Sequence, residues 1–229
     1  MCFSASASFT AAAFLVPISV YAVYSAMELK RNHYILLALV PFFFGLQQFF
    51  EGFVWLSLAA ADPWSTHVFS LFFIFFSHFF WPFWIPLSVY IITRHRQCSR
   101  QYWMLAFFII GTILGLIIYL PFLFNPETVQ TQMYANCIQY NLTTIVDAFI
   151  GAPFFRHFYV VIIVLPLLVS RDVAIKWMGV LIFVSVVATY LFFNYAFNSV
   201  WCFFSAVISI YIIYIIRREK DHGLNFVIE

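Results

Sequence analysis

Two ionisable side chains lie inside long apolar stretches, and they are the residues best suited to chemistry. Glu51 lies in GLQQFFEGFVW and His78 lies in FFSHFFW. An ionisable group in hydrocarbon is costly unless it is paired or hydrated. Each is about ten residues from the outer end of its predicted span, or about 15 Å deep at the rise of an α-helix. We predict that both reach the middle of a membrane, as a proton- or ligand-binding pair or as a structural ion pair.

A polar stripe surrounds the acidic residue. Gln47, Glu51 and Trp55 are spaced four residues apart, so they share one face of a helix, and Gln48 flanks them. We expect this face to line the bundle interior, where it either binds a ligand or hydrogen-bonds to other helices.

Two later segments repeat the pattern. Asn194 lies midway between Tyr190 and Asn198, and four small polar residues share one side of the last span: Ser199, Cys202, Ser205 and Ser209. The candidates for ligand or proton binding are therefore Gln47, Gln48, Glu51, Trp55, His78 and Asn194. With the inner half nearly all apolar, they predict a polar pocket that opens outward.

Thiol, imidazole and carboxylate groups on the same predicted side raise the hypothesis of a metal ion as cofactor. The candidate ligands are Cys2, Glu51, His78, His157 and Cys202. None has close ligand spacing, and the helical rise places Cys2 and Cys202 about 10 Å above Glu51. A disulfide or thiol pair between Cys2 and Cys202 is an equal alternative, and the pairings Cys2–Cys137 and Cys137–Cys202 stay open.

The composition fixes the class of protein. Hydrophobic residues make up 65% of the chain, charged residues 9%, and the mean hydropathy is +0.96, which is typical of an integral membrane protein. We predict an all-α fold with one transmembrane domain over residues 1–229 and an outer loop at 125–152. Seven stretches are long enough to span: 5–27, 34–61, 67–92, 102–124, 153–169, 177–198 and 199–216.

Basic residues predict the orientation. Ten of the eleven Lys and Arg residues lie in alternate loops or in the C-terminal tail, and Arg156 is the exception. Because cytoplasmic loops collect Lys and Arg, the N-terminus is predicted outside and the C-terminus inside. The same distribution gives no signal for nucleic acid.

Prolines and glycines mark the third and fourth spans. Pro82 and Pro86 remove backbone donors and predict a kink next to His78, with freed carbonyl oxygens. Gly111 and Gly115 have the spacing of a notch for close helix packing.

Four motifs occur in order along the chain: MCFSASASF, GLQQFFEGFVW, WPFWIPLSV and NSVWCFFSA. Together they resemble a family of small bacterial multi-pass membrane proteins whose members begin MCFSA, a domain of unknown function. The resemblance covers essentially the whole chain and implies a protein of the bacterial inner membrane. It supplies no activity, ligand or site residue.

Three functions remain open at this stage. The protein binds or transports a small solute, a proton or a metal ion, with Glu51 and His78 at the membrane centre. Alternatively, it is a membrane enzyme that uses a metal or these two side chains on a lipid or periplasmic substrate, or a scaffold subunit without chemistry. The expected partners are the lipid bilayer and a small molecule or ion, and the oligomeric state stays open.

Overall fold

A computed structural model describes residues 4–96, 99–134, 136–143 and 152–223. Within these residues, six helical segments are long and apolar enough to cross a membrane: Ala5–Glu28, Asn32–Ala59, Pro63–His95, Gln101–Phe124, Val173–Phe192 and Asn194–Arg218. A shorter apolar helix covers His157–Val169. The fold is that of an almost entirely helical multi-pass membrane protein.

Several of these segments consist of more than one helix. The α-helices are α1 (Ala5–Glu28), α2 (Ile35–Ala38), α3 (Val40–Ala59), α4 (Pro63–Ile74), α5 (Trp81–His95), α6 (Gln101–Phe124), α7 (Ala152–Val169), α8 (Val173–Phe192), α9 (Phe197–Ile208) and α10 (Ile212–Gly223). Short 3-10 turns link α1 to α2, α8 to α9, and α9 to α10. The sixth predicted span, 177–198, corresponds to α8 at Val173–Phe192. The break before the last segment falls within NYAFNS as expected.

Aspartates start two of the helices. The Asp62 carboxylate accepts hydrogen bonds from the backbone N–H groups of Trp64 and Ser65, at 3.1 and 3.2 Å, and Pro63 follows at the first helical position. Asp172 caps α8 in the same way. These caps satisfy backbone donors that a helix end leaves without a partner.

The basic loops meet at one end of the bundle. Arg31 donates to the carbonyl oxygen of Ile216 at 3.0 Å, and Arg100 donates to that of Val169 at 2.7 Å. Arg96 forms a salt bridge with Asp172 at 3.1 Å. These contacts join the loop after α1, the loop between α5 and α6, the loop between α7 and α8, and the last helix. We call this the arginine-rich end.

A β-hairpin lies at the opposite end, where the sequence predicted only a loop. Strands β1 (Val129–Tyr134) and β2 (Cys137–Leu142) pair antiparallel, with Tyr134 opposite Cys137. Asn136 in the turn has a φ of 59°, a conformation that Asn tolerates. Thr131 donates to the Ser70 hydroxyl of α4 at 2.8 Å, so the hairpin packs along the helices.

The helical backbone changes between α4 and α5. A π-helical turn covers Phe75–Phe80, and the Trp81 N–H bonds to the carbonyl oxygen of Phe76, five residues back. The next residue, Pro82, has no N–H to donate to the carbonyl oxygen of Ser77. The Tyr159 hydroxyl of α7 donates a hydrogen bond to this oxygen instead. A side chain of a neighbouring helix thus satisfies a carbonyl oxygen that proline has freed.

Candidate functional site

Glu51 lies in the interior of the bundle and is 1% exposed. Its Oε1 accepts a hydrogen bond from the Ser199 hydroxyl of α9 at 2.5 Å, and its Oε2 accepts one from the Gln48 amide at 3.0 Å. Both partners are neutral. An isolated ionised carboxylate is costly to bury, and binding a proton or a cation removes that cost.

The rest of the α3 stripe is buried as predicted. Gln47, Gln48 and Trp55 are all buried, and the Trp81 indole N–H donates to Gln47 Oε1 at 2.8 Å. The stripe thus brings together α3, α5 and α9.

Tyr140 of the hairpin completes this cluster, and no spacing in the sequence predicted its place there. Its ring stacks on Phe73 with 4.7 Å between centroids. Burial, and then the nearby Glu51 and Cys202 groups, raise the pKa of Tyr140 well above its ordinary value. The hydroxyl therefore keeps its proton and offers a donor next to the acidic residue.

Five polar atoms in and around this cluster are buried without a hydrogen-bond partner in the structure: Gln47 Nε2, Gln48 Oε1, Trp55 Nε1, Tyr140 Oη and Trp201 Nε1. Such groups are rare in folded proteins, and each costs free energy unless water or a ligand satisfies it. We call the set formed by these residues with Glu51, Ser199 and Cys202 the Glu51 cluster.

A small cavity adjoins the Glu51 cluster. Its volume is about 20 Å³, and Trp81, Tyr159, Trp201, Cys202 and Ser205 contribute to its wall. That volume is enough for one water molecule and too small for an organic solute. On the other side of the cluster, Ile138 and Tyr140 of the hairpin pack with Val54 and Trp55. Among the described residues Glu51 thus lies in a packed interior, and the outward-opening pocket stays a prediction.

The described contacts of His78 are with residues outside the Glu51 cluster. Its Nδ1 is 2.7 Å from the Ser77 hydroxyl, and its ring lies 6.1 Å from that of Phe122 and 6.2 Å from that of Tyr159. Tyr159 borders the cavity, so His78 is one aromatic layer away from it. The hydrogen bonds to the Glu51 carboxylate come from Ser199 and Gln48 instead.

Two other candidates lie at the surface. Asn194 is exposed, because α8 ends at Phe192 and a 3-10 turn follows. His157 is also exposed, with its ring 6.4 Å from that of Tyr190. The part of the chain that the structure describes contains no group of three or more His, Cys, Asp or Glu side chains that could hold a metal ion. The geometry of these residues gives the metal hypothesis no support.

Cys202 is a buried free thiol, so the predicted Cys2–Cys202 disulfide is wrong, as is Cys137–Cys202. The physical reason is depth: Ser199 reaches Glu51, so Cys202, one turn further along α9, faces the interior rather than the mouth of the bundle. Cys137 is disulfide-bonded. Cys2 lies outside the described residues, and the pairing Cys2–Cys137 stays a prediction.

No curated protein and no solved structure matches this chain. The sequence model of one family matches residues 1–225, and its description agrees with the resemblance drawn from the four motifs. The chain belongs to the family of unknown function DUF6629.

Proposed function

We propose that this membrane protein is a proton-dependent carrier of a small polar solute, with Glu51 as the group that binds the proton. The observation that carries the proposal is the burial of this carboxyl group between two neutral partners, Ser199 and Gln48. A purely structural role would be served by a neutral side chain at no cost of burying charge. An intramembrane carboxyl group is a common proton-binding site in transporters.

The unpartnered atoms of the Glu51 cluster provide the solute-binding groups. The Gln47 amide, the two indoles and the Tyr140 hydroxyl are donors, whereas Gln48 Oε1 is an acceptor. A solute that satisfied them would recover the cost of leaving them buried and unpaired. The complementary ligand is a small, uncharged molecule with several hydrogen-bonding groups.

The hairpin and the irregular third segment supply the moving parts of the proposal. The cavity of about 20 Å³ has room for water and not for a solute. Entry therefore requires the hairpin to withdraw from Phe73, or the π-helical turn at Phe75–Phe80 to rearrange. Interrupted helices at the binding site are typical of secondary transporters.

The experiment measures proton flux in proteoliposomes that contain a pH-sensitive dye, under an imposed membrane potential. Wild-type protein should carry protons into the vesicles, and Glu51→Gln should reduce the rate to that of empty vesicles. The matched control is Glu127→Gln, which alters an exposed carboxyl group beside the hairpin and should leave the flux unchanged. Equal flux in wild type and Glu51→Gln would refute the assignment of the proton to Glu51.

A second measurement separates proton binding from transport. Infrared difference spectra between high and low pH should contain a carboxylic acid band that is missing in Glu51→Gln. Tyr140→Phe removes an unpartnered hydroxyl, so it should change stability little and yet lower the flux. The matched control, Tyr134→Phe, changes the exposed hairpin tyrosine. If wild-type vesicles are no more permeable than empty ones, the carrier function is wrong even where the band is present.

A further inference from the structure

A second cavity lies at the arginine-rich end, remote in the fold from the hairpin. Its volume is about 280 Å³, and its wall contains Arg96, Arg171, Asp172 and Arg218 above an apolar floor that includes Ala174 and Ile215. A water molecule in liquid water takes up about 30 Å³, so this cavity accommodates a polyatomic group. Among the residues that the structure describes, three guanidinium groups and one carboxylate give this wall an excess of positive charge.

Asp172 is the acidic side chain among the described residues of this wall, and it is already engaged. Asp172 Oδ2 accepts hydrogen bonds from Arg96 and from the Tyr34 hydroxyl, each at 3.1 Å. Its Oδ1 accepts the N–H groups of Ala174 and Ile175 at the start of α8. The carboxylate therefore neutralises Arg96 and caps a helix, and it does not neutralise the other two arginines.

Arg171 and Arg218 have no salt bridge with another side chain that the structure describes. Arg171 is exposed, and the Arg218 guanidinium lies 5.9 Å from the centre of the Tyr214 ring. Planar guanidinium groups present pairs of N–H donors that match the oxygens of a phosphate. The two arginines thus face one cavity with their charge available to an anion.

Exposed apolar side chains adjoin this cavity. Val173, in its wall, is 51% exposed, and Trp177 one turn later on α8 is 56% exposed. Tyr214, beneath Arg218, is 48% exposed. In a membrane protein, exposed Trp and Tyr near helix ends lie at the level of the lipid headgroups. An anion that enters the cavity from this side would therefore belong to a lipid.

We propose that this cavity binds a phosphate group, supplied by the headgroup of an anionic phospholipid. Arg171 and Arg218 contact the phosphate oxygens, while Val173 and Trp177 contact the adjoining acyl chains. Basic pockets between transmembrane helices are known to bind such headgroups. Positive charge in loops can orient a protein in the membrane without forming a cavity. The presence of the cavity therefore favours lipid binding over the alternative that these arginines only set the orientation.

The test uses a double variant that carries both Arg171→Gln and Arg218→Gln. It is compared with a control variant that also loses two positive charges. The control carries Arg94→Gln and Arg217→Gln. Both residues are outside the cavity wall: Arg94 is in the last turn of α5, two residues before Arg96, and Arg217 precedes Arg218 in α10. Binding of dioctanoyl phosphatidylglycerol, dioctanoyl phosphatidylcholine and inorganic phosphate is measured on detergent-purified protein by thermal shift and titration.

Wild type and control should bind phosphatidylglycerol in preference to phosphatidylcholine. The cavity variant should bind it about 25-fold more weakly, since each arginine near an anionic lipid surface is worth roughly a fivefold factor. Equal losses in the two double variants would overturn the proposal, because they would indicate general electrostatic attraction. Inorganic phosphate that binds as well as the lipid would overturn the lipid assignment. Lipid phosphorus that co-purifies with wild type and not with the cavity variant would support the proposal independently.

Discussion

Gly111 of α6 packs directly against α5, at a carbonyl oxygen that proline has freed. Pro86 has no N–H to donate to the carbonyl oxygen of Pro82, four residues earlier, so this oxygen faces the neighbouring helix. A Cβ atom added at Gly111 would lie 2.1 Å from it and 3.0 Å from Ile162 Cγ2 of α7. The prediction of a close-packing notch is confirmed, and Gly111→Ala is expected to destabilise the bundle.

The size of the effect follows from which atoms collide. Ordinary van der Waals contact begins at 3.4 Å, so the Gly111→Ala variant requires α5 and α6 to move apart by roughly 1 Å. The atom struck belongs to the backbone of a packed helix, and a change of side-chain rotamer cannot relieve the clash. Overpacking of a core typically costs about 1–3 kcal/mol, and we expect the upper end of that range.

The assay is reversible unfolding in mixed micelles of neutral detergent and dodecyl sulfate, followed by tryptophan fluorescence. Gly45→Ala is the matched control, because its Cβ would lie no closer than 3.2 Å to a side-chain atom, Val16 Cγ2, and 3.4 Å from the nearest backbone atom, the carbonyl oxygen of Ala12. It should change the free energy of unfolding by less than about 1 kcal/mol, since alanine also favours the helix. Equal stabilities for Gly111→Ala and wild type would refute the packing argument.

Two further predictions concern other parts of the chain. Asp62→Ala should lower the unfolding temperature at pH 7, whereas Asp62→Asn should keep part of the cap. Hydrogen bonds, first from the Ser65 hydroxyl, lower the pKa of Asp62. The carboxylate therefore contributes its full stabilisation above the pKa of the unfolded state, about 3.9, and loses it as the pH falls through the pKa of the folded state. The melting curves of wild type and Asp62→Ala should converge in acid. A difference that stays constant with pH would contradict the cap. In maleimide labelling, Cys202 should react only after unfolding and Cys137 only after reduction, because one is a buried thiol and the other is in a disulfide; rapid labelling of Cys202 in the folded protein would contradict its burial.

Helical periodicity and charge predicted the features that depend on local sequence. The stripe of Gln47, Glu51 and Trp55 is buried because residues four apart share a helix face, and the α3 helix continues through all of them. The basic loops meet at one end because successive long helices run in opposite directions. Both inferences needed only the spacing of residues along single helices.

Features that depend on the packing of separate segments were harder to predict. Depth alone suggested the pairing of His78 with Glu51, and that pairing stays a prediction. The π-helical turn at Phe75–Phe80 bonds five residues apart, so side chains there rotate away from the positions that an α-helix would give them. Asn194 lies in the 3-10 turn after the end of α8, and its place in a site stays a prediction. Tyr140 belongs to a strand of six residues in a loop, and its place beside Glu51 depends on how the hairpin docks on the helices.

The hairpin also sets how often the interior of this protein meets water. Strand β2 places Tyr140 within the Glu51 cluster and Ile138 beside it, so on that side exchange with bulk solvent requires these side chains to leave. A two-stranded hairpin is stable only through what it packs against. Its contacts with α4 and α9 therefore act as a kinetic barrier, and the proposed proton exchange at Glu51 could proceed by this route no faster than the local opening of β1 and β2.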